Sequence, residues 1–244
     1  MKVPFFNKLT PFVFSGALAL ISAIPAAAGM IDNFSDSTSL TTAPSYTAGS
    51  MLGGERDAII TGNPPPSFQA TGGLATFTSG GELISGGVIA QLVYDGVDGS
   101  SGNIYGLGGV DLTDSGASDR FLLQVNAVVG PVDLTLRVWE SGTAYSSYVF
   151  SGVTASGLYQ APFASFSAFG AGGNFAAANA VGLFVQGLDT PVGAGSESIT
   201  FDYLSTGVNP NSTAPGPIPE PSSVALMGLG LAACGFLARR KARS

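Results

Sequence analysis

The feature that most constrains this chain is a period-two alternation of apolar and polar residues, repeated in short runs and broken each time by glycine or proline. Val132, Leu134, Leu136 and Val138 alternate with Asp133, Thr135 and Arg137. Phe121, Leu123, Val125 and Ala127 stand against Gln124 and Asn126, and Ile199, Phe201 and Tyr203 against Thr200 and Asp202. In 88–94 the even positions are uniformly apolar and the odd ones mixed. Successive strand side chains point to opposite faces, so each run predicts a strand with a core face and a wet face. The 35 Gly and 15 Pro supply the turns, and the expectation is all-β, an antiparallel β-sandwich rather than a parallel α/β sheet.

Breaks fall at 63–66, 72–73, 80–81, 95–109 and 170–173, and no repeat of fixed period suggests a solenoid. Gly130-Pro131 is a short connection between two alternating runs and predicts a hairpin pairing them antiparallel. Phe34, Phe121, Phe184 and Phe201 are expected in the core. Trp139 lies on the polar side of its run, so two readings stand: a partly buried core member, or an exposed platform that stacks on a ligand.

The missing chemistry is as informative. The chain has no His and one Cys, Cys234, near its end. Catalytic Ser-His-Asp and Cys-His arrangements and His or thiolate zinc sites are therefore excluded from the body, and disulfides cannot staple it. Glycoside hydrolysis needs only two carboxylates, and Glu55, Glu82, Glu140 and Glu197 are present, but no spacing pairs them. The expectation is a domain that is not an enzyme. Asp95-Gly96-Val97-Asp98-Gly99-Ser100, followed by Asp111, offers oxygen ligands for a structural Ca²⁺ from Asp95, Asp98 and Asp111. The competing reading is that Asp and Gly simply make turns there. Glu55-Arg56-Asp57 reads either as a charge pair ordering a loop or as Arg56 gripping a ligand.

Between Gly29 and Ile218, fifteen Asp and Glu face three Arg, a net charge of about −12. A nucleic-acid backbone would be repelled, and the acidic surface keeps the domain dispersed.

Both ends read as targeting segments. Residues 1–28 carry Lys2 and Lys8, an apolar run from Pro11 to Ile24, and Ala26-Ala27-Ala28, the three-part layout of a secretory signal peptide. Ala26 and Ala28 suit the pockets of a signal peptidase, and cleavage is expected after Ala28. At the other end come Pro219-Glu220-Pro221, an apolar segment 222–238, and the basic residues Arg239, Arg240, Lys241 and Arg243. Seventeen helical residues span roughly 25 Å, the lower limit for crossing a bilayer, and the basic cluster would stop transfer on the cytoplasmic side. The expected organisation is a signal peptide at 1–28, a β-sandwich ectodomain at 29–205, a flexible tether at 206–218 and a sorting tail at 219–244.

This ordered tail resembles the PEP-CTERM sorting signal of exosortase substrates, also catalogued as an ice-binding-protein C-terminal domain. The resemblance implies that an exosortase embedded in the membrane cuts near Pro219, Glu220 and Pro221. The protein would then be exported through the inner membrane, transiently anchored, and delivered to the cell envelope or the biofilm matrix. In the body, Ile31-Asp32-Asn33-Phe34, the run 52–57, Tyr94-Asp95-Gly96 and the run 108–112 are similar to PEP-CTERM ectodomains related to galactose-binding-like jelly rolls. That likeness implies a jelly-roll-like sandwich and a carbohydrate-binding role, with exopolysaccharide as partner and Trp139, Tyr145 and Tyr148 stacking on sugar faces. Two other functions remain as alternatives: a glycan-acting hydrolase using paired carboxylates, and an ice-binding protein, for which Thr76 and Thr78 are the one short hint of a threonine array.

Overall fold

The computed structural model describes residues 29–41, 44–61, 66–79, 88–101, 106–187 and 197–208. The expected signal peptide at 1–28, the Pro-Glu-Pro motif, the apolar segment 222–238 and the basic cluster lie outside the described residues. In chain order the strands are β1 (Met30–Asp32), β2 (Thr38–Leu40), β3 (Ser45–Ala48), β4 (Glu55–Ile60), β5 (Ser67–Thr71), β6 (Leu74–Thr78) and β7 (Val88–Tyr94). There follow β8 (Arg120–Val129), β9 (Val132–Ser141), β10 (Ala144–Val153), β11 (Gly157–Pro162), β12 (Ser167–Phe169), β13 (Ala180–Gly187) and β14 (Ser198–Gly207). The helical content among the described residues is three single 3₁₀ turns.

The strands form two antiparallel sheets of seven strands. Sheet A has the order β11-β8-β14-β6-β5-β2, with β1 also on β14, and sheet B the order β12-β10-β9-β13-β7-β4-β3. The alternation explains how they pack. Phe121, Leu123 and Val125 of β8, Phe201 of β14 and Phe77 of β6 face Leu134 and Leu136 of β9, Leu183 of β13 and Leu92 of β7 in one buried cluster. Each fully buried side chain of this size contributes about 1.5–3 kcal/mol over leaving it in water. The core needs no cysteine, because two sheets of this extent bury enough apolar surface.

Two expectations are corrected. Gly130-Pro131 does not close a hairpin: β8 pairs with β11 and β14 in sheet A, and β9 with β10 and β13 in sheet B. The connection arches from one sheet to the other, so β8 and β9 face each other across the core instead of sharing hydrogen bonds. Alternation specifies which residues face inward; it does not name the neighbouring strand. The domain also runs past residue 205, since β14 continues to Gly207. Thr206 lies opposite Phe121, its amide donates to the Gly29 carbonyl at 2.7 Å, and so it belongs to the sheet and not to the tether.

Inside the sandwich lies one paired charge. Arg56 and Asp32 are both buried, and the guanidinium Nη1 donates to Asp32 Oδ2 at 2.6 Å. Nη2 of Arg56 donates to the Asp36 carbonyl and to Thr38 Oγ1, each at 2.7 Å. Tyr94 donates its hydroxyl to the same Asp32 oxygen at 3.0 Å, and burial pushes the pKa of that hydroxyl well above its ordinary value. Arg56 thus ties β4 of sheet B to β1 and β2 of sheet A; its charge partner is Asp32 and not the adjacent Glu55 or Asp57 of the pair read from the sequence.

Candidate functional site

The outer face of sheet B is where side chains accumulate that the core does not explain. Trp139 of β9, Tyr145 of β10, Phe169 of β12 and Phe184 of β13 all point outward there, because β9 sends Val138 inward and its odd-numbered neighbours out. Tyr145 stacks on Phe169 with ring centroids 4.8 Å apart, and Trp139 lies 5.8 Å from Phe184. Gly182, opposite Arg137 on β13, makes room for the indole: a Cβ there would come within 2.7 Å of it.

Arg137 rises from the same face and its guanidinium carbon sits 4.4 Å from the Tyr145 ring centre, 4.7 Å from Phe184 and 5.4 Å from Trp139. Aromatic faces attract a cation through their quadrupole, which holds the guanidinium in place without neutralising it. No carboxylate pairs with Arg137 among the described residues, and its Nε is buried without a hydrogen-bond partner.

Further along the same face, β4 and the end of β7 gather carboxylates. Asp57 is opposite Val93, which puts Asp95, two residues beyond Val93, on the same face and across from Glu55. Glu55, Asp57 and Asp95 are all buried, at 1%, 0% and 1% exposure. The loop after β7 covers them: Gly99 donates its amide to Glu55 Oε1 at 3.2 Å. Gly96 permits that cover, with φ of 99° and the Gly106 carbonyl where its Cβ would be. Burial, reinforced by Asp95, Glu55 and Asp98, pushes the Asp57 carboxyl up to about 7. Burial, with Asp98 the next contributor, pushes Asp95 up to about 6.

The sequence-predicted residues separate accordingly. Trp139 is 4% exposed, sealed by Phe184, Tyr145 and Arg137, and is not an open stacking platform. Tyr148 is on the opposite face from Tyr145, since three residues along a strand reverse direction, and it packs on Phe150 and Phe166 at the edge of the core. Tyr145 alone of the three stays on the outer face and half-exposed, and its stacked partner Phe169, which the sequence did not single out, is 57% exposed.

Of the calcium candidates, Asp95 and Asp98 lie near each other, but Asp111 does not join them. Its Oδ1 accepts from the Thr113 hydroxyl at 2.6 Å and amide at 2.9 Å, its Oδ2 accepts from the Ser115 amide at 2.9 Å, and the Thr113 bond is the main reason its carboxyl is held below the usual range. Asp111 is a turn residue. Glu55 and Asp57 were missed as companions of Asp95 because they are remote in sequence; the signal was two acids at i and i+2 on a strand, hence on one face. Among the described residues, no three acidic side chains converge to metal-ligand spacing.

Glu82 lies outside the described residues, Glu140 is exposed on β9, and Glu197 is buried ahead of β14. Thr76 pairs with Thr200 through hydroxyls 3.1 Å apart on the outer face of sheet A, with Thr78 opposite Ser67 and Ser198.

The class defined by these observations is an all-β domain of two antiparallel sheets, followed by a sorting tail. Residues 217–241 match the family model described as the PEP-CTERM protein-sorting motif, which covers Pro219-Glu220-Pro221, the apolar segment and the start of the basic cluster. By that description the segment is a protein-sorting signal. No curated protein matches the chain.

Proposed function

We propose that this chain is an exosortase-sorted protein of the cell envelope or exopolysaccharide, whose sandwich is non-catalytic and binds glycan on the outer face of sheet B. The sorting motif at 217–241 carries the export half of this reading. What supports the binding half is Arg137, which has no carboxylate partner among the described residues and is held among aromatic rings beside the stacked pair Tyr145 and Phe169. Stacked rings offer a flat apolar surface to the C–H face of a sugar, and a guanidinium supplies planar donors for paired hydroxyls or a uronate carboxylate. The passage of the chain between sheets at β6–β7–β8–β9 and β13–β14 is in keeping with a jelly-roll-like topology.

Burial of the carboxylates supports the non-catalytic reading. Glu55, Asp57 and Asp95 lie under a loop where no glycosidic bond can reach them.

Affinity electrophoresis of the detergent-solubilised full chain in gels containing polygalacturonate or dextran tests the binding. Retardation by polygalacturonate alone is the result expected of a carboxylate partner for Arg137, and retardation by both is expected of hydroxyl recognition. Arg137→Gln should weaken either by roughly tenfold, the loss of one charge-assisted contact of about 1.5 kcal/mol. Free migration in both gels defeats the glycan reading and leaves the sorting motif standing.

A further inference from the structure

Two expected processing sites flank the sandwich, and they stand in different relations to it. β14 ends at Gly207, and Pro219 follows twelve residues later, roughly 40 Å of chain when fully extended. A cut near Pro219 leaves the strands untouched. The other side has no such spacer. Gly29, the residue expected to follow the cut after Ala28, accepts the Thr206 amide on its carbonyl at 2.7 Å, and Met30 stands opposite Ser205.

β1 is bound inward as well as sideways. Ile31 is fully buried in the main core, and Asp32 is buried next to it. Besides the bonds from Arg56 and Tyr94 to its Oδ2, Asp32 accepts the Phe34 amide on Oδ1 at 2.7 Å. That bond holds Phe34 at a φ of 53°, in the left-handed region that a bulky side chain rarely enters. The strand therefore carries the counter-ion of Arg56, and the inner pair is complete only when β1 is docked.

A protease receives the residues on both sides of the scissile bond as an extended segment, and it acts on backbone that is free of other hydrogen bonds. On the far side of Ala28 these residues are Gly29, Met30 and Ile31, already committed to β14 and to the core. One stretch of backbone cannot occupy a protease cleft and the edge of β14 together. We infer that removal of the signal peptide requires β1 to be undocked, so that the N-terminal cut comes before the sandwich closes on β1 and Asp32 meets Arg56. The inference rests on the signal-peptide reading of residues 1–28 and is separable from glycan binding.

The test uses the full uncut chain in detergent with a purified signal peptidase, in a Cys234→Ala background carrying Met30→Cys and Ser205→Cys. Directly opposed residues of an antiparallel pair have the Cα separation a disulfide needs, so oxidation locks β1 to β14 and reduction frees it in the same molecule. The oxidised form should be cut roughly tenfold more slowly than the reduced one or not at all, since cutting follows the population of the locally open strand. Ile31→Ala, which loosens β1 without touching the scissile bond, should be cut faster than the folded wild-type chain. A synthetic peptide of residues 1–36 serves as the unfolded substrate and should be cut fastest. Equal rates for the oxidised and reduced forms, or no acceleration by Ile31→Ala, would overturn the proposal while the peptide is still cut after Ala28. A peptide left intact would overturn the signal-peptide reading and the proposal with it.

Discussion

Arg56 and Asp57 are consecutive residues on β4, both fully buried, yet their surroundings are opposite in kind. Arg56 faces the interior and meets Asp32, Thr38 and the Asp36 carbonyl, a set drawn from the other sheet. Asp57 faces outward without a hydrogen-bond partner, and the charged groups that act on it are the carboxylates of Asp95, Glu55 and Asp98. The difference teaches that burial by itself does not tell a structural charge from a functional one; the partner list does. A charge answered by the chain holds the fold together, whereas a buried charge among others of its own sign works against it.

The comparison breaks most visibly at Arg56. Arg56→Met strands Asp32 as an uncompensated buried charge and should cost about 3–5 kcal/mol, read as a lower urea midpoint with an unchanged slope. A loss below 1 kcal/mol would mean that the inner pair is no better matched than the outer acids.

A second expectation concerns pH. The folded-state carboxyls of Asp57 and Asp95 are raised to about 7 and about 6, against an unfolded value of about 4. Between those limits the folded chain binds more protons than the unfolded one, so stability is greatest near pH 4 and falls as pH rises through about 7. Glu55 and Asp98 face the same groups and no cation among the described residues offsets them. Urea titrations from pH 4 to 8 should show this decline. A rise over that range would contradict the stated surroundings of Asp57.

The smallest effect is expected where charge meets water. Asp119 and Arg120 form an ion pair at 2.7 Å, but Asp119 is 58% exposed. Asp119→Asn should change stability by less than about 1 kcal/mol, and salt should erase the difference. A larger loss would show that exposure does not separate weak pairs from strong ones in this domain.

Much of the fold was legible in the chain. The inward residues of β8, β9 and β14 followed from alternation, and Phe34, Phe121 and Phe201 are in the main core as expected. Phe184 is also buried, but on the outer side of sheet B with Trp139, because β13 carries apolar residues on both faces. The two readings of Trp139 could not be separated in advance: its outward direction was readable, while its cover comes from β10 and β13. The separation of Tyr145 from Tyr148 was readable in principle, since three residues on a strand always reverse the face.

The candidate site was less legible, since its members come from distant segments. Glu55 and Asp57 are some forty residues from Asp95 and meet it only through the pairing of β4 with β7. Arg137 gave no signal, being one polar residue in an alternating run, and that no described carboxylate pairs with it depends on everything around it.

The chain by itself determined the tail, the strand faces and the excluded chemistry, because each depends on the order and kind of neighbouring residues. Only the tertiary structure decided which strands pair, that Gly130-Pro131 crosses between sheets, and which buried charges have partners. Those outcomes depend on contacts between segments remote in sequence, and a one-dimensional pattern specifies direction at each residue but not what it meets there.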